Sequence, residues 1–296
     1  MLKAVLKWTL ILASLLAVGP LMAKMLTELR DVDGGRAATF FVNGDPKTAL
    51  LCAAALIVAS LVVGMLGARF YSLTTSMLCS GFVLGWAASS LGSLESIVRR
   101  AGDGRNLVWL AVEGLVVTIA AAGATMLYVR TSATHEAQTS GVPVKKASGP
   151  LWQRAFVSGE PTSSEPIAPV LLIALAAGTV AAAVLVWFVA LSGDRTQTMF
   201  AAICGAIAAG AAAQLVTAGR GFHLTPVLPI LSVALVALLG PIIAKSLEGT
   251  NLIQRVFDGS VLGLARPVSL DWATGALIGV PLGMGWAGAA VDKRHH

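Results

Sequence analysis

Eight apolar stretches, each about as long as a membrane is thick, constrain this chain more than any other feature. The hydrocarbon core of a bilayer is about 30 Å thick, so a spanning helix needs about 20 apolar residues at a rise of about 1.5 Å each. Stretches of this kind lie at residues 8–26, 48–68, 74–91, 107–129, 168–191, 197–216, 224–244 and 273–291. The sequence therefore predicts an all-α, polytopic integral membrane helix bundle with about eight transmembrane helices.

The composition points to the same class of protein. Hydrophobic residues make up 56% of the chain and charged residues only 12%, whereas about a quarter of the residues of a soluble domain are charged. Helical spans argue against an outer-membrane barrel, so we expect a cytoplasmic-type membrane, inner or plasma. Lys and Arg are divided almost equally between the two sides of the predicted bundle, so the positive-inside rule gives no orientation.

The first stretch has an alternative interpretation as a secretory signal. Lys3 and Lys7 precede or begin its apolar core, as they do in signal peptides. The nearest small-x-small cleavage site, residues 17–19, is followed by Pro20, which is a poor residue to cut before. We therefore expect a retained helix, and seven spans if this segment is cleaved or peripheral.

A long polar connection divides the chain into two membrane halves, residues 1–129 and 168–296. Residues 130–167 are rich in Ser, Gly, Pro and charge, a composition typical of flexible linkers. In the second half, residues 250–264 place their apolar side chains mainly on one helical face. That pattern predicts an amphipathic interfacial helix, broken or bent near Gly259, or else a loop packed on the spans.

Glu113 is the one charged residue inside a predicted span, since the other acids and all Lys and Arg lie in connections or at span ends. It is about 9 Å deep, where a carboxylate costs a few kcal/mol. One interpretation pairs it with a base of the preceding loop: Arg99, Arg100 or Arg105. The others are hydrogen bonding to a neighbouring span, or binding of a proton, a cation or a solute.

Small residues at four-residue spacing predict close helix contacts, because two backbones approach where no side chains stand between them. The longest such stripe is Gly275, Gly279 and Gly283, and shorter ones contain Gly205 and the pair Gly81 and Gly85. Pro281, in the middle of the last span, removes a backbone donor and predicts a kink.

Chemical motifs give little support for catalysis. The sequence has no nucleophile-elbow, zinc-protease, phosphate-loop or paired intramembrane carboxylate pattern, so we expect no enzyme. Cys52, Cys79 and Cys204 lie within spans without CxxC spacing and are interpreted as packing residues, so no metal or cofactor is predicted. The basic residues are interpreted as anchors for membrane lipid headgroups and not as a nucleic-acid surface.

Two functional classes remain open from the sequence. The favoured one is a non-catalytic membrane protein, a structural, assembly or accessory component that packs through Gly/Ala-rich helices against other subunits or copies of itself. The alternative is a small-solute or ion transporter in which Glu113 is the coupling carboxylate and Pro281 marks a mobile helix. Isolation of Glu113 from any second acid or base at its depth favours the first class.

Overall fold

The structure, a computed structural model, describes residues 2–29, 35–41, 45–100, 105–140, 155–158 and 166–292. These residues are 84% helical and contain no strand, which confirms the predicted all-α helix bundle. The helices are α1 (Leu2–Ala13), α2 (Gly19–Leu26), α3 (Pro46–Phe70), α4 (Leu73–Ser90), α5 (Leu94–Arg100), α6 (Arg105–Ser140), α7 (Ile167–Val189), α8 (Arg195–Ala218), α9 (Val227–Glu248), α10 (Leu252–Phe257) and α11 (Ser269–Asp292). A π-helical turn, Ser14–Val18, joins α1 to α2, so these two form one continuous segment.

Within the described ranges, seven helical segments are long and apolar enough to cross a membrane. The remaining predicted span, the third at 74–91, is α4, an 18-residue helix rich in Ser, Thr and Gly. Its polar side chains face other helices: the Ser76 hydroxyl donates to Gly64 O at 2.6 Å and the Ser80 hydroxyl to Ser60 O at 2.8 Å. Because α4 is buried among protein and not lipid, it is held with less apolar surface than its neighbours have.

Polar side chains define where several helices begin. The Asp45 carboxylate accepts the N–H groups of Lys47 and Thr48 at the start of α3, and the Ser72 hydroxyl accepts from Thr75 in α4. At the start of α8, the Asp194 carboxylate accepts from two N–H groups in the same way. Each contact satisfies backbone donors that the first turn of a helix leaves unpaired.

The last helix, α11, forms the centre of the bundle with α4 and α8. Its glycine stripe lies against α8: a Cβ on Gly275 would come within 2.6 Å of Ala202 O, and one on Gly279 within 2.8 Å of the Ala206 Cβ. Gly283 meets the backbone of Ile207 in the same row. These three glycines therefore make an intrachain contact in which two backbones nearly touch.

The other small residues predicted to pack also lie at helix contacts. Gly81 of α4 faces Ile278 of α11, and a Cβ on Gly85 would be 3.3 Å from the Thr274 Cγ2. On the opposite side of α8, a Cβ on Gly205 would meet the Val186 Cγ2 of α7 at 2.5 Å. The stripes thus place α8 between α7 and α11.

The predicted linker, residues 130–167, is shorter at both ends and partly packed. Helix α6 continues to Ser140 and α7 begins at Ile167. Between them, Phe156 O accepts the Thr225 N–H at 2.9 Å, and the Val157 side chain is buried beside α7 and α9. Within the predicted linker, residues 155–158 are therefore held against the bundle by two apolar side chains, while residues 141–154 and 159–165 lie outside the described residues.

The segment predicted as an amphipathic helix, residues 250–264, is α-helical over α10, six residues long, with 3-10 turns at Gly249–Asn251 and Gly263–Ala265. The chain breaks at Gly259, whose φ of 68° is a conformation that favours glycine. Leu252 and Val256 are buried on α10, while Ile253 and Phe257, predicted for the same face, are exposed. One face of α10 therefore packs on the bundle, and the chain turns at the glycine where the sequence predicted a break or bend.

Candidate functional site

Glu113 lies in the first half of α6, fully buried, and both of its carboxylate oxygens accept hydrogen bonds from the chain itself. The Ser269 hydroxyl donates to Oε1 in a short hydrogen bond, and the Phe41 backbone N–H donates to Oε2 at 2.9 Å. The backbone of Phe40 provides a further hydrogen bond. Glu113 therefore ties α6 to the start of α11 and to the segment that precedes α3.

Of the three arginines predicted as partners of Glu113, the described side chain of Arg99 lies elsewhere. Arg99 lies 3.9 Å from Glu95 on the surface of α5, and its guanidinium stacks 5.4 Å from the ring centre of Phe257. The side chains of Arg100 and Arg105 lie outside what the structure describes. The sequence left an arginine, a neighbouring span and a bound proton, cation or solute open as partners, and the structure places a hydroxyl and backbone N–H groups, which have no signature in sequence, on the carboxylate.

Two substitutions of Glu113 are expected to separate the contributions of its hydrogen bonds and of its charge to the free energy of unfolding. In Glu113→Gln the amide oxygen still accepts from Phe41 and the amide nitrogen can donate to Ser269, so we expect a loss of about 1 kcal/mol in the free energy of unfolding. Glu113→Ala leaves buried donors unpaired and opens a cavity, so we expect about 3 kcal/mol. Denaturant titration in detergent measures both, with the exposed Glu95→Gln on α5 as control, expected to change stability by less than about 1 kcal/mol.

A second buried acid, Asp271, was assigned by sequence to a connection, yet it lies in the first turn of α11 with no exposed surface. Arg195, the first residue of α8, donates two hydrogen bonds to it, at 2.8 and 2.9 Å, and a third to Ala88 O at the end of α4 at 2.7 Å. Val268 N–H donates to Asp271 at 2.9 Å. One ion pair thus joins the ends of α4, α8 and α11.

A third buried group joins the end of α9 to the turn before α11. Glu248 accepts the Leu262 N–H at 2.8 Å, and Arg266 donates to Gly259 O at 2.7 Å and to Val261 O at 3.0 Å. Burial lowers the pKa of the Arg266 guanidinium, and the negative charge of Glu248 opposes that shift. Buried charges thus also occur outside the predicted spans, because helix-terminal charges fold inward where end segments cover them.

All three of these polar groups lie at the end of the bundle at which α11 starts, which we call the Ser269 end. They are built from helix termini and the segments that connect them, at 35–41, at 190–195 and before Ser269. No local motif marks them in the sequence, because each pair joins residues that are distant along the chain. The one signal in the sequence for these buried polar groups is an acidic or basic residue close to the end of a predicted span.

Two cavities of the described bundle have linings that do not include Glu113. An apolar cavity of about 220 Å³ between α3 and α6 begins one turn away, where Val116, Val117 and Phe40 line it. At the opposite end of the bundle, Pro281 lines a more polar cavity of about 350 Å³ together with Gln214 and His223. Glu113 lines neither of them.

The buried acids Glu113, Asp271 and Glu248 form hydrogen bonds that link different segments of the chain. Among the described residues, no group of three His, Cys, Asp or Glu side chains is placed to hold a metal ion. Cys52 and Cys79 are buried and Cys204 is partly buried, each as a free thiol.

Comparison with protein-family models, curated proteins and solved structures finds no match to this chain. Fold and site together define a multi-pass α-helical membrane protein.

Proposed function

We propose that this protein is a non-catalytic structural, assembly or accessory component of a membrane assembly. The observation that carries the proposal is the use made of Glu113. Its oxygens accept from Ser269 and from the backbone of residues 40 and 41, and it lines neither the apolar cavity nor the cavity at Pro281. A carboxylate whose acceptors are filled by its own chain supports a structural role and leaves little capacity for an ion or solute.

The buried ion pair supports the same proposal. Arg195 and Asp271 bind each other and the ends of two other helices, so their charges hold the fold together. The Gly/Ala stripes of α8 and α11 are also used within the chain. On this proposal, contact with another subunit falls on the faces that the bundle leaves exposed, such as the row Leu172, Val180 and Phe188 on α7.

Transport of a small solute or ion is the second candidate, and the cavity at Pro281 is the observation that favours it. Gln214 and His223 give this cavity polar groups, and it extends from the bundle end to the middle of α11. On this alternative Gln214, and not Glu113, is the side chain that meets the solute.

One experiment separates the two candidates. Mild solubilisation of the native membrane is expected to yield the 30.3 kDa chain in a larger complex, measured by native electrophoresis. Replacing Phe188, an exposed residue of α7, with alanine is expected to weaken that complex without lowering the stability of the purified chain. In proteoliposomes of the purified chain, neither Glu113→Gln nor Gln214→Leu is expected to change the solute flux. A chain that migrates alone, together with a flux abolished by either variant at normal expression, would contradict the proposal.

A further inference from the structure

A cleft of about 310 Å³ lies at the Ser269 end of the bundle, where α7 and α9 finish. Its lining comes from the last turn of α7, the last turn of α9 and the connection that leads to α11. Its charged and large apolar lining residues are Trp187, Leu191, Leu247, Glu248, Arg255 and Arg266. This cleft is separate from Glu113 and from the ion pair of Arg195 and Asp271.

Two charged side chains of the cleft are almost fully buried, and each keeps one polar atom without a partner among the described residues. Glu248 and Arg266 are both 6% exposed. Glu248 uses Oε1 to accept the Leu262 N–H, while its Oε2 has no hydrogen bond. Arg266 uses Nε and Nη2 on backbone carbonyls, while its Nη1 has none.

Unpaired charged atoms of this kind cost free energy when they are buried, so an occupant that supplies partners is favoured. Glu248 requires a hydrogen-bond donor, preferably a cation, and Arg266 requires an acceptor, preferably an anion. Arg255, which is exposed on α10, adds a second positive charge to the cleft. The complementary ligand therefore carries both an anionic oxygen group and a protonated amine.

The position of the cleft indicates where such a ligand comes from. The cleft lies where two membrane-length helices end, and its rim is formed by the exposed apolar side chains of Trp187, Leu191 and Leu247. Tryptophan is enriched at this depth of a membrane, where the headgroups meet the acyl chains. A lipid can thus place its headgroup in the cleft and its chains against the rim.

We propose that this cleft binds the headgroup of an ethanolamine phospholipid, with the phosphate at Arg266 and Arg255 and the ammonium at Glu248. A choline headgroup has the same net charge but no N–H to donate to Glu248. A glycerol headgroup has the phosphate but no cation. The proposal is independent of the proposed function, since a transporter and an assembly component can both hold a lipid here.

The test uses the purified, delipidated full-length chain in detergent and measures its thermal unfolding midpoint against lipid concentration. Dioleoyl phosphatidylethanolamine is expected to raise the midpoint at concentrations about 10-fold lower than the phosphatidylcholine with the same chains, as one charge-assisted hydrogen bond implies. Soluble phosphoethanolamine is the second probe and is expected to act only at far higher concentration, because it lacks the acyl chains.

Three variants assign the selectivity to named side chains. Glu248→Gln keeps an acceptor for Leu262 but removes the charge, so the two lipids are expected to act within about 2-fold of each other. Arg255→Gln is expected to weaken both lipids equally. Lys245→Gln removes a positive charge from the same end of α9 without lining the cleft, so the 10-fold preference is expected to remain.

Several outcomes would overturn the proposal. Equal action of the two lipids on the unmodified chain would do so, as would a preference for choline through Trp187 or for phosphatidylglycerol. Phosphoethanolamine acting as well as the lipid would show a site for a free solute. If Glu248→Gln does not fold, native mass spectrometry of the unmodified chain and of Arg255→Gln measures the same lipid preference directly.

Discussion

Replacing Gly279 with leucine is expected to prevent the bundle from assembling, with a loss of about 3 kcal/mol or more in the free energy of unfolding. A Cβ at this position would lie 2.8 Å from the Ala206 Cβ and 2.9 Å from Ile207 N, and the Ile203 carbonyl is closer still. Backbone atoms of a neighbouring helix cannot move aside as a flexible side chain can. The leucine therefore forces α8 and α11 apart over several turns.

Gly285 on the same helix provides the matched control. It is exposed, and nothing lies within 4 Å of the position its Cβ would take. Gly285→Leu is expected to leave folding unchanged or slightly improved, because leucine favours helix over glycine. Size-exclusion profiles and denaturant titration in detergent compare the two variants. Native behaviour of Gly279→Leu would mean that α8 and α11 are not in close contact.

Replacing Arg195 with leucine is expected to cost 3–5 kcal/mol, roughly the loss seen when one partner of a buried pair is removed. The change leaves the Asp271 carboxylate, which has no exposed surface, without its counter-charge, and removes the guanidinium hydrogen bond to Ala88 O, which retains the Leu91 N–H. The free energy of unfolding by denaturant titration measures the effect. The exposed Arg99→Leu is the control. It loses a surface contact with Glu95 at 3.9 Å and the stacking of its guanidinium on Phe257, and is expected to cost about 1 kcal/mol or less.

The double variant Arg195→Leu, Asp271→Leu tests the reason for that loss. If the cost comes from an uncompensated buried charge, removing both charges recovers part of the stability lost in the single variant. Recovery is expected to be incomplete, because the Val268 N–H loses its acceptor. A double variant less stable than the single one would show that the carboxylate stabilises the fold without Arg195.

The central position of α4 explains why it is the predicted span that is less apolar than the seven membrane-length segments. Its Ser76 and Ser80 hydroxyls bond to backbone carbonyls of α3, and the Tyr128 hydroxyl lies 2.9 Å from Ser80. A helix that contacts protein on most sides does not need a continuous apolar surface. Mean hydropathy reflects how well a helix surface suits lipid. It is therefore low for a helix whose surface contacts protein instead.

The candidate site was predictable in part. Glu113 was identified because a carboxylate inside an apolar run is costly wherever it lies, and the structure buries it completely. Its partners could not be predicted, because Ser269 is 156 residues away along the chain and Phe41 contributes only a backbone N–H. Asp271 and Arg266 were missed, since a charge near a helix end has the same local sequence whether it faces water or protein.

The sequence by itself determined that this protein is a multi-pass helical bundle, because spanning lipid requires long apolar helices whatever lies beside them. It also located the glycine rows and Glu113, the one acid inside a predicted span. The tertiary structure alone decided that α11 meets α8 through Gly279, and that Glu113 is held by Ser269 and the residues before α3. Contacts of this kind depend on which helix ends come together, and that depends on the packing of the whole bundle.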